Sequence, residues 1–180
     1  MKEPRVAARY AKSLMLSAKE NSSVEKVFAD MDMLHHLIGE SRYLSLLLKS
    51  PIIKEDKKLD AINAIFSNKV EALTLSFMQL VIRQNRASSL EEITEAFISL
   101  YKADKGIATV HITTAEKLSS DMMSKISDQI KVANHLSAVE MIENVDPSII
   151  GGVVLRMGDI QLDESVKAKI NSIEREFLNA

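Results

Sequence analysis

The chain has 180 residues, contains no cysteine and no tryptophan, and carries a formal net charge of −2. This length allows one large domain or two small ones, and the lack of cysteine excludes disulfides, thiolate zinc sites and cysteine nucleophiles. The small negative charge argues against nucleic acid as the main partner, although residues 1–105 carry 16 basic and 14 acidic side chains and residues 106–180 carry 7 and 11.

The first 105 residues show the apolar spacing of α-helices throughout. Pro4 suits the first turn of a helix, and Ser22 with Glu25 predicts a capping box for a second helix, which Gly39 should end. A third, short helix is expected at residues 44–48, a fourth at 54–66 and a fifth at 70–84. Ser88 or Ser89 should cap a sixth. We therefore predict a six-helix bundle over residues 1–105.

The period of the pattern changes at Gly106. Residues 107–114, 138–145, 149–157 and 160–162 alternate or are β-branched, which predicts strands. A helix capped by Ser119 or Ser120 is expected between the first two strands, and a final helix, capped by Asp163, after the last. Its apolar stripe would be Val166, Ile170, Ile173 and Phe177. The sequence thus predicts an α+β protein, whose second domain, residues 106–180, has a small mixed sheet.

Lys2, Arg5, Arg9 and Lys12 make the first helix basic, with Glu3 as its one acid. This face either contacts an acidic partner or a membrane surface, or it is simply solvated. The sequence leaves both readings open.

No group of residues forms a recognisable reactive site. His35 and His36 are adjacent, so on a helix they point about 100° apart and cannot share a metal as an i,i+4 pair does. The chain has no phosphate-binding loop, no zinc-protease motif and no nucleophile elbow. Gly151-Gly152 is expected inside a strand, as a bulge or a close backbone contact. We therefore expect no catalytic, cofactor-binding or metal-binding residues.

No apolar run approaches the roughly 20 residues that a membrane span needs. The N-terminal residues lack the apolar core of a secretory signal, and a helical pattern starts at once. We expect the protein to be made and used in the cytoplasm.

Two segments resemble one family, the delta subunits of bacterial F-type ATP synthase, whose mitochondrial counterpart is the oligomycin sensitivity-conferring protein. Residues 5–14, Arg-Val-Ala-Ala-Arg-Tyr-Ala-Lys-Ser-Leu, are similar to the family's opening helix, with Ser13 where the family often has Ala. Asn85-Arg86 resembles a weaker internal feature. The C-terminal signature is matched at Val139, Met141, Val145, Asp146, Ile149, Gly151, Gly152, Val153, Leu155, Arg156 and Gly158, followed by Asp159, Asp163, Ser165 and Val166.

The resemblance implies two protein partners. In that family the N-terminal bundle binds the N-terminal helical segment of alpha subunits between its first and fifth helices, and the C-terminal domain contacts the b subunits of the peripheral stalk. Arg86, Gly151, Gly152, Arg156, Gly158 and Asp163 would be structural. The groove positions would be Val6, Ala7, Tyr10, Ala11 and Leu14, with Leu73, Phe77, Leu80 and Val81 opposite, although each of these is also a candidate for the core.

The implied function is that of a non-catalytic stator subunit, which links the catalytic head to the stalk so that rotary torque drives ATP synthesis. It would bind no cofactor and no nucleic acid, and it would reach the cytoplasmic face of the bacterial inner membrane only through the complex. The alternative is a free-standing helical adaptor or a nucleic-acid-binding module, which salt-dependent nucleic-acid binding would support.

Overall fold

The computed structural model describes the backbone of residues 4–178 and the side chains of residues 4–175. Lys2, Glu3 and the side chain of Phe177 therefore lie outside the described part. The chain divides into two compact units, of which the first ends at Tyr101 and the second begins at Lys102. The predicted boundary at residues 105/106 lies at the end of the sixth helix, which continues to Asp104.

The first unit is helical in all of its described secondary structure. Its helices are amphipathic, and their apolar faces meet in one core that includes Leu14, Met31, Phe66, Met78 and Phe97. Burying a side chain of this size contributes about 1.5–3 kcal/mol. The α-helices are α1 (Pro4–Glu20), α2 (Val24–Glu40), α3 (Arg42–Lys49), α4 (Glu55–Phe66), α5 (Ala72–Arg83) and α6 (Leu90–Asp104), with a 3-10 turn at Ala87–Ser89 before α6.

Three of the helix ends predicted for the first unit are wrong. Ser22 does not cap α2, because it has a φ of +50° in the turn that reverses the chain after α1. Ser23 takes the N-cap position, and its amide donates to Ala18 O at 2.9 Å. Gly39 lies within α2, which continues to Glu40. Neither Ser88 nor Ser89 caps α6, because both belong to the 3-10 turn that leads into it.

A buried carboxylate joins α2 to α5. Asp30 on α2 accepts hydrogen bonds from the Glu71 amide at 2.9 Å and from Thr74 Oγ1 at 2.7 Å. Glu71 is the N-cap residue of α5, and its own side chain makes no capping bond. The amide at the N-cap of α5 is therefore bound by a side chain from another helix.

The second unit is a sheet with helices and confirms the predicted α+β class. Its sheet is mixed, because β1 pairs parallel with β2 and antiparallel with β3, and β3 pairs antiparallel with β4. The strand order is β2-β1-β3-β4. The elements are β1 (Ile107–Thr114), α7 (Ser120–Asn134), β2 (Ala138–Val145), a 3-10 turn (Pro147–Ile149), β3 (Val153–Met157), β4 (Ile160–Asp163) and α8 (Val166–Leu178).

The strand predicted at residues 149–157 begins four residues too early. Asp146 Oδ1 accepts from the Ser148 amide at 2.9 Å and supports a 3-10 turn, so β3 begins only at Val153. Gly151 and Gly152 lie in the bend between the two. The expectation of a close backbone contact is confirmed at Gly152, where an added Cβ would lie 2.3 Å from Glu164 O.

Candidate protein-binding surfaces

Helices α1 and α5 meet at an aromatic pair. The rings of Tyr10 and Phe77 are 6.3 Å apart between centroids and inclined by 69°, which is an edge-to-face contact. The contact brings the two halves of the predicted groove together on one side of the first unit.

Five of the nine predicted groove residues belong to the core. Their side chains are almost completely buried among the helices, so they position α1 and α5 and present little surface to a partner. These residues are Ala7, Ala11, Leu14, Phe77 and Val81.

The other four residues are apolar and less buried, and we call them the apolar strip of α1 and α5. Val6 and Tyr10 are one helical turn apart on α1, and Leu73 and Leu80 are two turns apart on α5, so each pair lies on one side of its helix. Val6, Tyr10 and Leu73 are half-buried, whereas Leu80 is 49% exposed. An apolar strip bordered by two helices can accept the apolar face of a third helix.

Sequence reasoning missed two small residues beside this strip. Ser13 and Ser17 follow Val6 and Tyr10 at i+7 on α1, so they extend the same flank toward the end of the helix. Ser13 is exposed and Ser17 half-buried. Their small side chains leave room for an approaching helix. The helical spacing was the signal that could have found them.

The second unit has an open apolar cleft between α7 and the sheet. Val110 pairs with Met157, and Met157 pairs with Ile160. Leu155, two residues before Met157, pairs with Leu162, so all five side chains lie on one face of the sheet. Ile126 and Ile130 of α7 line the opposite wall, and the cleft encloses about 390 Å³. None of the side chains of α7 is fully buried, so this helix covers the sheet only in part.

Helix α8 presents a second apolar surface. Val166, Ile170 and Ile173 are spaced by four and three residues, which places them on one stripe. All three are exposed. The helix begins after an Asx turn in which Asp163 Oδ1 accepts from the Ser165 amide, and Ser165 Oγ then accepts from the Ala168 amide. Ser165, and not Asp163, is therefore the cap.

The predicted structural residues lie mostly in turns. Gly152 and Gly158 have φ of +78° and +58°, and Gly158 forms the turn between β3 and β4, where its carbonyl accepts from Arg156 Nε at 3.4 Å. The hydrogen bonds from Ser165 hold the pKa of Asp163 below its usual value. A Cβ added to Gly151 would lie 3.4 Å from Val166 Cγ2. Arg86 is half-buried and directly precedes the 3-10 turn before α6.

The histidine pair has structural partners. The hydroxyl of Thr94 donates to Glu91 O at 2.7 Å, and its oxygen lies 3.3 Å from His35 Nδ1. His36 lies 3.9 Å from Asp32. Within residues 4–175 there is no group of three or more side chains able to hold a metal ion. Among the described helices, none has the length and hydropathy to cross a membrane.

Comparison with known proteins gives matches along almost the whole chain. The family model described as ATP synthase delta (OSCP) subunit matches residues 6–177. A protein named ATP synthase subunit delta from Cytophaga hutchinsonii is 38% identical over 177 residues, covering 98% of this chain and 96% of that protein. Its namesake from Lactobacillus johnsonii is 32% identical, covering 96% and 94%.

A solved structure supports the fold. A chain of the Toxoplasma gondii mitochondrial ATP synthase hexamer is similar to this one, with a TM-score of 0.77 and 23% identity, over 96% of this chain and 97% of that chain.

Proposed function

Because this chain belongs to the ATP synthase delta (OSCP) subunit family, we propose that it is a non-catalytic stator subunit of an F-type ATP synthase. The observation that carries the proposal is the match over almost the whole length of both proteins, which includes both units. The resemblance stated from the sequence is confirmed by the same match.

The mechanism is mechanical connection. The turning central shaft exerts torque on the catalytic head, and the head must be held against the membrane sector, or proton flow would rotate it without making ATP. A stator subunit therefore needs stable binding at two separate surfaces and no reactive side chains. We place it at the cytoplasmic face of the bacterial inner membrane, attached only through the complex.

We interpret the first unit as a six-helix bundle and propose that it binds the catalytic head. The apolar strip of Val6, Tyr10, Leu73 and Leu80 would receive the N-terminal helical segment of an alpha subunit. Core residues such as Ala11 and Phe77 hold the two helices in place. Helix-in-groove recognition suits such a strip, because a partner helix presents apolar side chains every three or four residues.

Leu80→Asp should weaken binding of the full chain to a synthetic peptide of the alpha subunit's N-terminal segment by at least about tenfold, because it places a charge in the apolar strip. Isothermal titration calorimetry measures the loss, against submicromolar affinity expected for the unaltered chain. Since Leu80 is half exposed, the fold should survive.

The matched control is Ile65→Asp, which changes a comparably exposed apolar residue on α4. It should bind the peptide as the unaltered chain does. If both variants lose affinity equally, or if the unaltered chain does not bind, the strip is not the head-binding site.

We assign the stalk-binding end to the second unit, at the cleft between α7 and the sheet and at the stripe of α8. Both surfaces are apolar and open, and a helix of the b subunits could contact either one. Leu162 on β4 lines the cleft and is 53% exposed.

Leu162→Asp should reduce binding to a soluble fragment of the stalk b subunits by about tenfold or more, since a charge in an apolar contact must be desolvated. Sedimentation velocity of the mixture measures the bound fraction. The control is Val132→Asp, which alters an exposed residue of α7 outside the cleft lining. Equal binding by both variants would remove the cleft from the stalk site and leave α8.

A further inference from the structure

The surface of α1 consists of rows of side chains that run along the helix, because residues three or four apart are neighbours. One row is buried in the core and consists of Ala7, Ala11, Leu14 and Ala18. The row beside it, one position earlier at each step, contains the strip residues of α1 and consists of Val6, Tyr10, Ser13 and Ser17. The next row, again one position earlier, begins with three cations, Arg5, Arg9 and Lys12. We call these three residues the cationic row.

The cationic row is exposed and has no counterion on its own helix. All three side chains are exposed, and within the described part of the chain none of them forms an ion pair or a side-chain hydrogen bond. Glu20 is the one acid among the described residues of α1. It lies eight residues after Lys12, about 12 Å along the helix axis.

Acidic side chains of two neighbouring helices do not neutralise the row. Helix α5 carries no acid, and Glu71, which precedes it, is bound to Lys26 at 2.6 Å. On α6, Glu92 and Glu95 line a cavity of about 300 Å³ together with Ala7. Because Ala7 belongs to the core row, these two acids approach α1 from the side opposite to the cationic row.

The cationic row opposes the stability of the helix that carries it. Arg5 and Arg9 are four residues apart, and Arg9 and Lys12 are three apart, which are spacings at which like charges repel each other. Arg5 also lies in the first turn, where the positive end of the helix dipole disfavours a cation. A surface that is merely solvated needs no such arrangement, whereas binding surfaces often keep residues that lower stability.

We propose that the apolar strip of α1 and α5 receives a helix with a row of carboxylates beside its apolar face, and that Arg5, Arg9 and Lys12 bind these carboxylates. The apolar and ionic contacts can form together, because Arg9 is three residues from Val6 and adjoins it on the helix surface. The identity of the occupant, the N-terminal segment of an alpha subunit, rests on the proposed function. The cationic row is then the part of the site that selects the partner by charge.

A protein helix fits this surface better than a membrane does. An amphipathic helix enters a membrane with its apolar face, and on α1 the most apolar face is the core row, which is buried within the first unit. The strip row ends in Ser13 and Ser17, whose small side chains let another helix lie close to α1. Cations beside a narrow apolar row therefore match the flank of a single helix.

The test is calorimetric titration of the full chain with three synthetic helical peptides of about 18 residues, roughly five turns. All three have the same leucine face, and the row beside it consists of glutamates, glutamines or lysines. In about 0.1 M salt the glutamate peptide should bind about tenfold more tightly than the glutamine peptide. In about 1 M salt the difference should fall below about threefold, because the Debye length decreases from about 10 Å to about 3 Å.

Reversing one charge should reverse the preference. Arg9→Glu should weaken binding of the glutamate peptide about tenfold and strengthen binding of the lysine peptide, whereas Arg9→Lys should keep the original order. Lys125→Glu, at an exposed position of α7, changes the net charge equally and should alter neither affinity. Arg9→Glu should also raise the urea midpoint of the first unit, since it removes the repulsion from Arg5 and Lys12. A purely structural role for Arg9 predicts a lower midpoint.

The proposal is overturned if the three peptides bind alike in about 0.1 M salt, or if Arg9→Glu leaves the affinity for the glutamate peptide unchanged. Binding to vesicles of anionic phospholipid without binding to the glutamate peptide would also overturn it and assign the row to a membrane. If the alpha-subunit segment binds but neither salt nor Arg9→Glu affects it, this proposal fails and the head-binding assignment stands. If the glutamate peptide binds and the alpha-subunit segment does not, the reverse holds.

Discussion

Gly152→Ala should destabilise the second unit by about 3 kcal/mol or more. The residue has a φ of +78°, a conformation that costs an L-residue about 1–2 kcal/mol. The added Cβ would also lie 2.3 Å from Glu164 O and 3.1 Å from Ser165 Cα. Both atoms are backbone, so the connection between β4 and α8 must move. Because α8 and the end of β4 carry apolar surfaces assigned to the stalk, binding there should fall as well.

Substitutions at two other glycines distinguish the destabilisation caused by the steric contact from that caused by the positive φ. Gly158 also has a positive φ, but an added Cβ meets nothing within 4 Å, so Gly158→Ala should cost only about 1–2 kcal/mol. Gly39 lies in helix α2 with open space around it, and Gly39→Ala should stabilise the first unit by about 0.5–1 kcal/mol. A loss at Gly152 no larger than that at Gly158 would contradict the steric argument.

Urea unfolding with two probes makes the measurement specific. The three tyrosines, Tyr10, Tyr43 and Tyr101, all belong to the first unit, so tyrosine emission reports that unit alone. Circular dichroism reports both units. Gly152→Ala should lower the urea midpoint for unfolding of the second unit, which circular dichroism detects and tyrosine emission does not. Gly39→Ala should raise the urea midpoint for unfolding of the first unit, which tyrosine emission detects.

The sequence predicted the helices and strands because their buried faces must repeat with the period of the element. Leu14, Ala11 and Ala7 keep the helical period on α1, and all three are in the core. Residues at the edge of such a stripe could not be assigned in the same way. Tyr10 lies next to Ala11 in the chain and is half-buried, and only its contact with Phe77 across the unit decides where its ring lies.

Two local signals failed. Ser22 and Glu25 have the spacing of a capping box, but the turn that ends α1, in which the Ser23 amide donates to Ala18 O, gives Ser22 a positive φ. Gly151 and Gly152 stand in a β-branched run, yet they form a bend, because the Glu164 backbone passes close to Gly152. The contact with Glu164 is not visible in the residues next to Gly152. For the same reason the sequence could not predict that Leu80 is exposed and Val81 buried.

Asp30→Ala should destabilise the first unit by about 2–4 kcal/mol, since it leaves the Glu71 amide and the buried Thr74 hydroxyl without their acceptor. The loss should loosen the start of α5 and so the strip that contains Leu73. Tyrosine-detected urea unfolding measures the change, and hydrogen exchange of the first turn of α5 locates it.

Asp30→Asn and Asp60→Ala distinguish the capping role from a general effect of removing an acid. The asparagine side chain keeps one acceptor oxygen for these donors, so Asp30→Asn should lose less than half as much stability as Asp30→Ala. Asp60 is exposed on α4, and its replacement should change stability by less than about 0.5 kcal/mol. Equal losses for Asp30→Ala and Asp60→Ala would mean that α5 does not depend on the carboxylate of α2. The expected order would instead mean that the carboxylate of α2 fixes the start of α5 within the first unit.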